Sequence, residues 1–263
     1  MKVNYHTHTS RCMHAFGTDE EYVLAAIQAG FTRLGFSDHA PWSYDSDFVS
    51  MMRMPMSELQ DYLTSIRQLK EKYKDQIEIY VGLEYEYFPK YFEQMKHIVR
   101  ENKLDYIIFG NHYNKTDELH DYFGSATKKE KLYEYLETTI QGIESGEYAY
   151  LAHPDLYMRN YPIFDDTCRE IAHAICKCAK EHDFILEYNL GGVSYSKNGK
   201  KSGYPCKEFW EIASLYHNKV IIGIDAHAPE HILDEDMFSD ARSFLEKLDI
   251  EIVTEIPLRT YDL

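Results

Sequence analysis

The chain has 263 residues, 44% of them apolar, enough to fill a sizeable core in one large domain or two small ones. Its net charge of −16, from 28 basic and 44 acidic side chains, excludes an extended nucleic-acid partner, because a phosphate backbone needs a basic surface. No stretch approaches the roughly 18–20 apolar residues of a membrane span. The first residues read as a strand with no cleavable apolar leader, so a cytoplasmic protein with no membrane partner is expected.

Taken in chain order, short apolar runs rich in β-branched and aromatic residues predict strands at 3–8, 33–37, 77–84, 106–110, 148–152, 184–189 and 220–224. Helices are predicted between and after them at 19–29, 58–73, 91–101, 128–144, 167–182, 206–216 and 238–248. Thr18 with Glu21 three positions on has the spacing of a capping box, and Gly30 follows that helix. Ser57 with Gln60 suggests the same device for the second helix. Residues 40–56, 113–126 and 190–205 read as long loops. No repeat or linker divides the chain, so one domain over 1–263 is expected.

Metal-ligating residue types recur just past these apolar runs. His6 and His8 end the first strand, with His14 in the loop beyond, and His39 follows the second. Glu84 ends the third, His112 and His153 follow the fourth and fifth, and Asp225 and His227 follow the seventh. Imidazole and carboxylate suit zinc, manganese and iron. Nine such groups exceed what one tetrahedral ion uses, so two or three divalent ions and metal-assisted hydrolysis are expected. Strict β/α alternation means a parallel sheet, and only a barrel gathers six strand ends around one pocket. The expected fold is therefore α/β, a closed or distorted (β/α) barrel with the metal site at the C-terminal strand ends.

Other candidates are weaker. Arg159, six residues past His153, is the candidate phosphate clamp, weighed against a surface arginine paired to Asp155 or Asp165. By strand alternation Glu86 shares the inward direction of Glu84 and is a candidate carboxylate behind a ligand histidine. Cys12 lies between candidate ligands and reads as a packing residue near the site in preference to a thiolate ligand. The five cysteines have no disulfide-framework spacing and are expected to be reduced. Trp42, Tyr44, Tyr161 and Tyr204 read as packing, and His120 and His231 as loop histidines on the pocket side.

The phrases His6-Thr7-His8-Thr9, Ser37-Asp38-His39-Ala40-Pro41, Gly82-Leu83-Glu84, Gly110-Asn111-His112, Ala152-His153-Pro154-Asp155 and Asp225-Ala226-His227 resemble the PHP (polymerase and histidinol phosphatase) superfamily. Cys12-Met13-His14 and the Ser37 phrase are similar to its histidinol-phosphatase branch. The resemblance implies a distorted (β/α)7 barrel with a trinuclear centre. His6, His8, Glu84 and Asp225 would hold one ion, and His14, His39 and His227 a second. His112 and His153 would hold the third, with Glu84 as a bridge. It implies attack on a phosphate monoester by a metal-bridging hydroxide, with Asp225 and Glu84 as the catalytic carboxylates and Asp225 accepting the proton. The substrate implied is L-histidinol phosphate, in histidine biosynthesis. The chain departs from the pattern after Gly192, where Lys197 stands in a region that would supply a phosphate-gripping arginine. Another small phosphate ester, such as a nucleotide or sugar phosphate, is the alternative substrate. Amidohydrolase-type C–N hydrolysis is a further alternative, disfavoured because none of these strand ends carries the lysine that chemistry wants. Oligomeric state is left open.

Overall fold

The computed structural model describes residues 1–197 and 203–261. Among the described residues nine strand segments run in parallel: β1 (Val3–Asn4), β2 (Arg33–Phe36), β3 (Glu78–Val81), β4 (Glu84–Tyr85), β5 (Ile108–Gly110), β6 (Tyr150–Ala152), β7 (Ile185–Asn189), β8 (Lys219–Gly223) and β9 (Glu251–Ile252). Seven long helices pack outside them: α1 (Asp19–Gln28), α2 (Leu59–Lys72), α3 (Phe92–Glu101), α4 (Lys129–Glu144), α5 (Asp166–Glu181), then α7 (Lys207–Leu215) and α9 (Glu235–Lys247). Two shorter helices, α6 (Leu190–Lys197) and α8 (Pro229–Ile232), follow β7 and β8. Among the described residues no helix is long and apolar enough to cross a membrane.

The strands form a distorted seven-position barrel. β1, β2 and β3 pair in that order, and β4 to β9 form the second arc. β3 and β4 are one bent strand: β3 pairs with β2, and β4 with β5. The arcs join where the Glu84 amide donates to Asp38 O at 3.0 Å and the Ala40 amide to Glu84 O at 2.9 Å. The other seam is closed by Thr7 against Ala226. There the His8 amide donates to Ala226 O at 2.9 Å, and the Ala226 amide to His6 O at 3.2 Å. One apolar cluster fills the space between strands and helices. A second, including Tyr106, Ile108, Tyr150, Ile185 and Ile221, plugs the barrel interior on the same strand faces that carry Gly110, Glu187 and Gly223 further along.

Several expectations change. The third strand breaks at Gly82-Leu83, and β9 is an addition that pairs with the start of β8. The first strand stops at Asn4 because that side chain takes over the ladder's role. Its amide donates to His6 O and Thr7 Oγ1, and its carbonyl accepts the amides of His6 and Ile224. Residues 190–205 are not simply loop: α6 occupies Leu190–Lys197, and 198–202 lie outside the described residues. The Thr18–Glu21 capping box is present and Gly30 is left-handed at φ +72°. The Ser57 cap is not, because a 3₁₀ turn over Met56–Glu58 leads into α2 and leaves Glu58 at the cap without a side-chain bond. α9 starts at Glu235, three residues before the expected 238. Asp234 caps Met237 N, and acidic Glu235 and Asp236 suit the positive end of the helix.

The bend at Gly82 sets the direction of Glu84. A Cβ there would lie 2.6 Å from ring carbons of Tyr106, whose hydroxyl is shared between Tyr5 O at 2.7 Å and Phe36 O at 3.1 Å. The ring is buried and tethered, so it cannot move aside. Gly82→Ala is therefore expected to lose about 1–3 kcal/mol of stability, read as a lower urea midpoint; an unchanged midpoint contradicts this packing.

Candidate metal centre

The strand ends converge on a cavity of about 670 Å³ whose wall includes His14, His39, Glu84, His112, His153, Asp225 and His227. His6 and His8 lie beneath, fully buried. All nine sequence candidates are thus brought to one place. Their nitrogens meet in facing pairs: His6 Nε2 and His8 Nε2 at 3.1 Å, His112 Nε2 and His153 Nε2 at 3.2 Å, His14 Nε2 and His227 Nε2 at 3.0 Å. Asp225 Oδ1 lies 3.0 Å from His8 Nε2 and 3.5 Å from His6 Nε2.

Glu84 spans two of the pairs. Its Oε2 is 3.6 Å and 3.7 Å from His6 and His8, and its Oε1 is 3.4 Å and 3.1 Å from His112 and His153. His39 Nδ1 is 3.0 Å from Glu84 Oε2. Both of those buried atoms nevertheless lack an aligned hydrogen bond. His39 also groups with His8 and His227, so it stands between the Glu84 bridge and the pair at the cavity mouth.

The opposite edge of most rings is already committed. His6 Nδ1 donates to Glu187 Oε1 at 2.7 Å, His8 Nδ1 to Asp38 Oδ1 at 3.3 Å, and His112 Nδ1 to Glu86 Oε1 at 3.1 Å. His14 Nδ1 donates to Cys12 O at 2.7 Å and His227 Nδ1 to Asp225 O at 3.0 Å. With the proton on Nδ1, a neutral imidazole turns an Nε2 lone pair inward. Two such nitrogens facing each other repel unless a proton or a metal cation lies between them. A tetrahedral ion at about 2.0–2.1 Å from nitrogen sets its ligand atoms about 3.3–3.4 Å apart, close to the spacings seen. The donor set fits divalent metal ions.

The glycines and backbone leave room for this arrangement at a cost. A Cβ on Gly110 would lie 2.3 Å from Glu84 Oε1, and one on Gly223 only 1.8 Å from Glu187 Oε1. His153 at φ 34° and Asp225 at φ 54° sit in left-handed backbone, a strain of about 1–3 kcal/mol each. Electrostatics divides the imidazoles. Burial works against a charge on His6, but Glu187, Asp225 and Glu84 outweigh it and raise its pKa to about 10. Burial and the neighbouring His8 push His227 down to about 3 and His39 well below its ordinary value. Burial alone would raise the carboxyls of Glu84 and Asp225, yet the surrounding histidines, led by His112 and His6 respectively, hold both well below the usual range.

Arg159 also lies on the cavity wall. Its Nη1 donates to the Tyr122 hydroxyl at 3.2 Å, and its guanidinium stacks 4.4 Å from the Tyr195 ring centre. It pairs with neither Asp155 nor Asp165, and no carboxylate lies within ion-pair distance of it among the described residues. Lys197 is different: it ends α6 exposed and is not among the described wall residues. Tyr204 and His231 line the cavity, whereas Trp42, Tyr44 and Tyr161 do not. His120 packs instead against Phe48. Cys12 is buried with its sulfur near His14 and His227, and all five cysteines are free.

A PHP domain model matches residues 4–191. The chain belongs to the PHP domain family. This PHP domain is 26% identical over 235 residues to a probable histidinol-phosphatase of Deinococcus radiodurans, covering 86% of each chain. It is 26% identical over 276 residues to a probable histidinol-phosphatase of Schizosaccharomyces pombe, covering 95% of this chain and 88% of that one. Its fold is similar to that of histidinol phosphate phosphatase from Lactococcus lactis subsp. lactis, solved with zinc, L-histidinol and phosphate. There the TM-score is 0.75 at 20% identity, with 98% of this chain and 99% of that chain covered.

Sequence reasoning found Glu86 but missed the other carboxylates behind the rings, Asp38 and Glu187. Glu187 had a signal: it is a lone charge in a strand that is otherwise apolar up to Asn189. It also accepts the His153 amide at 3.2 Å and the Asn189 side-chain amide at 2.8 Å. Glu187→Gln and Gly223→Ala are each expected to weaken zinc binding by about ten- to a hundredfold; chelator competition showing wild-type affinity in both would contradict this. At neutral pH the metal-free site holds a proton on His6 that must leave when Nε2 takes an ion. Zinc uptake should therefore release protons, and affinity should rise with pH toward about 10. Calorimetry in buffers of different ionisation enthalpy checks this, and binding without proton release contradicts it.

Proposed function

We propose that this chain is a metal-dependent phosphatase that hydrolyses L-histidinol phosphate to L-histidinol and phosphate, with water as the second substrate. The observation that carries the reaction type is the facing imidazole nitrogens bridged by Glu84, beside an arginine with no carboxylate partner among the described residues. Support for the substrate comes from relatives named as histidinol-phosphatases and from the L. lactis complex with histidinol and phosphate.

In this reading His6, His8 and Asp225 would hold one ion, His112 and His153 a second, and His14 and His227 a third, with Glu84 available to the first two and His39 to the third. Zinc, manganese and iron all suit such ligands. Bound divalent ions lower the pKa of water and neutralise phosphoryl charge. Asp225 Oδ1 faces the ligand histidines, while its Oδ2 takes only a 3.2 Å bond from the Asn189 amide. In this reading Oδ2 would receive the proton of the attacking water. Arg159 offers a planar guanidinium to the phosphoryl oxygens. His231 Nδ1 accepts the His227 amide at 3.2 Å, which leaves its proton on Nε2, a donor for the departing alkoxide. No lysine lines the described part of the cavity, which speaks against the amidohydrolase alternative.

Phosphate release from a panel of L-histidinol phosphate, nucleotides and sugar phosphates tests the substrate. Histidinol phosphate is expected to be turned over best. Good turnover of nucleotides with none of histidinol phosphate would overturn the substrate and leave the reaction type standing. Arg159→Ala should lower kcat/KM by about ten- to a hundredfold, the worth of a charge-assisted hydrogen bond of about 1.5–3 kcal/mol. The wild-type value in that variant would remove Arg159 from the site.

A further inference from the structure

Arg53 lies in the loop between β2 and α2 and is only 2% exposed. A guanidinium that far from water is costly unless its donors are matched. Here two carboxylates and a carbonyl match them. Nη1 and Nη2 grip Glu86 at 3.0 Å and 2.8 Å, Nε donates to Asp117 Oδ2 at 2.9 Å, and Nη1 also reaches Ala40 O at 3.0 Å.

Each partner leads to the metal centre or to the cavity wall. Glu86 Oε1 also accepts His112 Nδ1 at 3.1 Å, and its Oε2 accepts Trp42 Nε1 at 3.2 Å. Ala40 follows His39, and its amide bonds Glu84 O. Asp117 sits in the loop after β5, between Tyr113 and Tyr122 of the wall, and is bonded by Tyr44 at 2.6 Å and Ser50 at 3.0 Å. Arg53 itself directly follows Met51 and Met52, which line the same wall. One side chain therefore joins two strand ends and two wall loops.

We propose that Arg53 is a positioning residue that couples metal binding at His112 and His153 to the seating of the cavity wall formed by the loops after β2 and β5. The proposal rests on the metal-centre reading above. An ion on Nε2 polarises the ring and strengthens the Nδ1–H bond to Glu86. A Glu86 held by Arg53 cannot turn away from that bond, and the same guanidinium holds Asp117. Metal binding and wall order then reinforce each other, because coupling of two equilibria is reciprocal. A lysine cannot replace the arginine here. Its ammonium is a point donor and cannot span two carboxylates and a carbonyl in one plane.

The test compares wild type, Arg53→Lys and Asp117→Asn with zinc alone as the probe, using chelator competition and hydrogen exchange over residues 48–56 and 113–122. In wild type, zinc is expected to slow exchange in both segments. In Arg53→Lys the weakest-held zinc should bind about ten- to a hundredfold more weakly, and zinc should no longer protect either segment. Asp117→Asn cuts the link to the wall and leaves the Arg53–Glu86–His112 grip, so it should lose the protection and lower zinc affinity by less than Arg53→Lys does. A purely structural role would lower stability without separating these two readouts. If wild type takes up no zinc, the metal-centre reading itself fails. If wild type binds zinc and Arg53→Lys matches it in affinity and protection, the coupling is wrong while the metal centre stands. Should Arg53→Lys not fold, retained protection in Asp117→Asn overturns the proposal.

Discussion

Imidazole nitrogens do not face one another this closely without a proton or a metal ion between them. In this barrel three such pairs do, each at about hydrogen-bond distance, with most of the rings unable to turn because their other nitrogen is bonded. Much of the neighbouring structure follows from that constraint. Parallel strands around a ring are needed to bring donors from six strand ends together. Carboxylates must lie behind the rings to fix the tautomer, and buried carboxylates in turn need partners of their own. Glycine must stand where Glu84 and Glu187 approach the neighbouring strand. Even the left-handed backbone at His153 and Asp225 is intelligible as strain held at the point where the chain turns a ligand inward.

Metal-free, the site balances its charges internally. His6 carries charge beside three carboxylates, while His39 and His227 are kept neutral by burial and by the charge on neighbouring His8. Ions entering such an arrangement displace protons from the histidines that hold them. It also explains how a chain with a net charge of −16 can receive a phosphate dianion. In the function proposed above, the local charge of the ions and Arg159, not the surface average, would meet the substrate.

Much of this was legible in the sequence. Most of the candidate ligands stand at or soon after strand ends, so the strand pattern places them at one end of the barrel, and residue type suggests their chemistry. The carboxylates behind the rings were harder. Asp38 looks locally like any acidic residue and Glu187 stands out only as a lone charge in an apolar strand, and the role of each depends on which imidazole the fold brings within 3 Å or so of it. Arg53 was illegible for the same reason: its partners lie 13, 33 and 64 residues away. The helix α6 escaped notice because Gly191 and Gly192 signal a turn. There the Asn189 side chain accepts the Gly192 amide and holds the turn into the helix. The broken third strand was hidden because Gly82 bends the chain without interrupting its apolar run.

The central claim is that the nine donors hold a cluster and not a single ion. Its most direct test is metal analysis of the purified chain after loading with zinc, manganese or iron and removal of the excess. Two or three ions per chain are predicted. Fewer than two under metal-replete conditions would contradict the account.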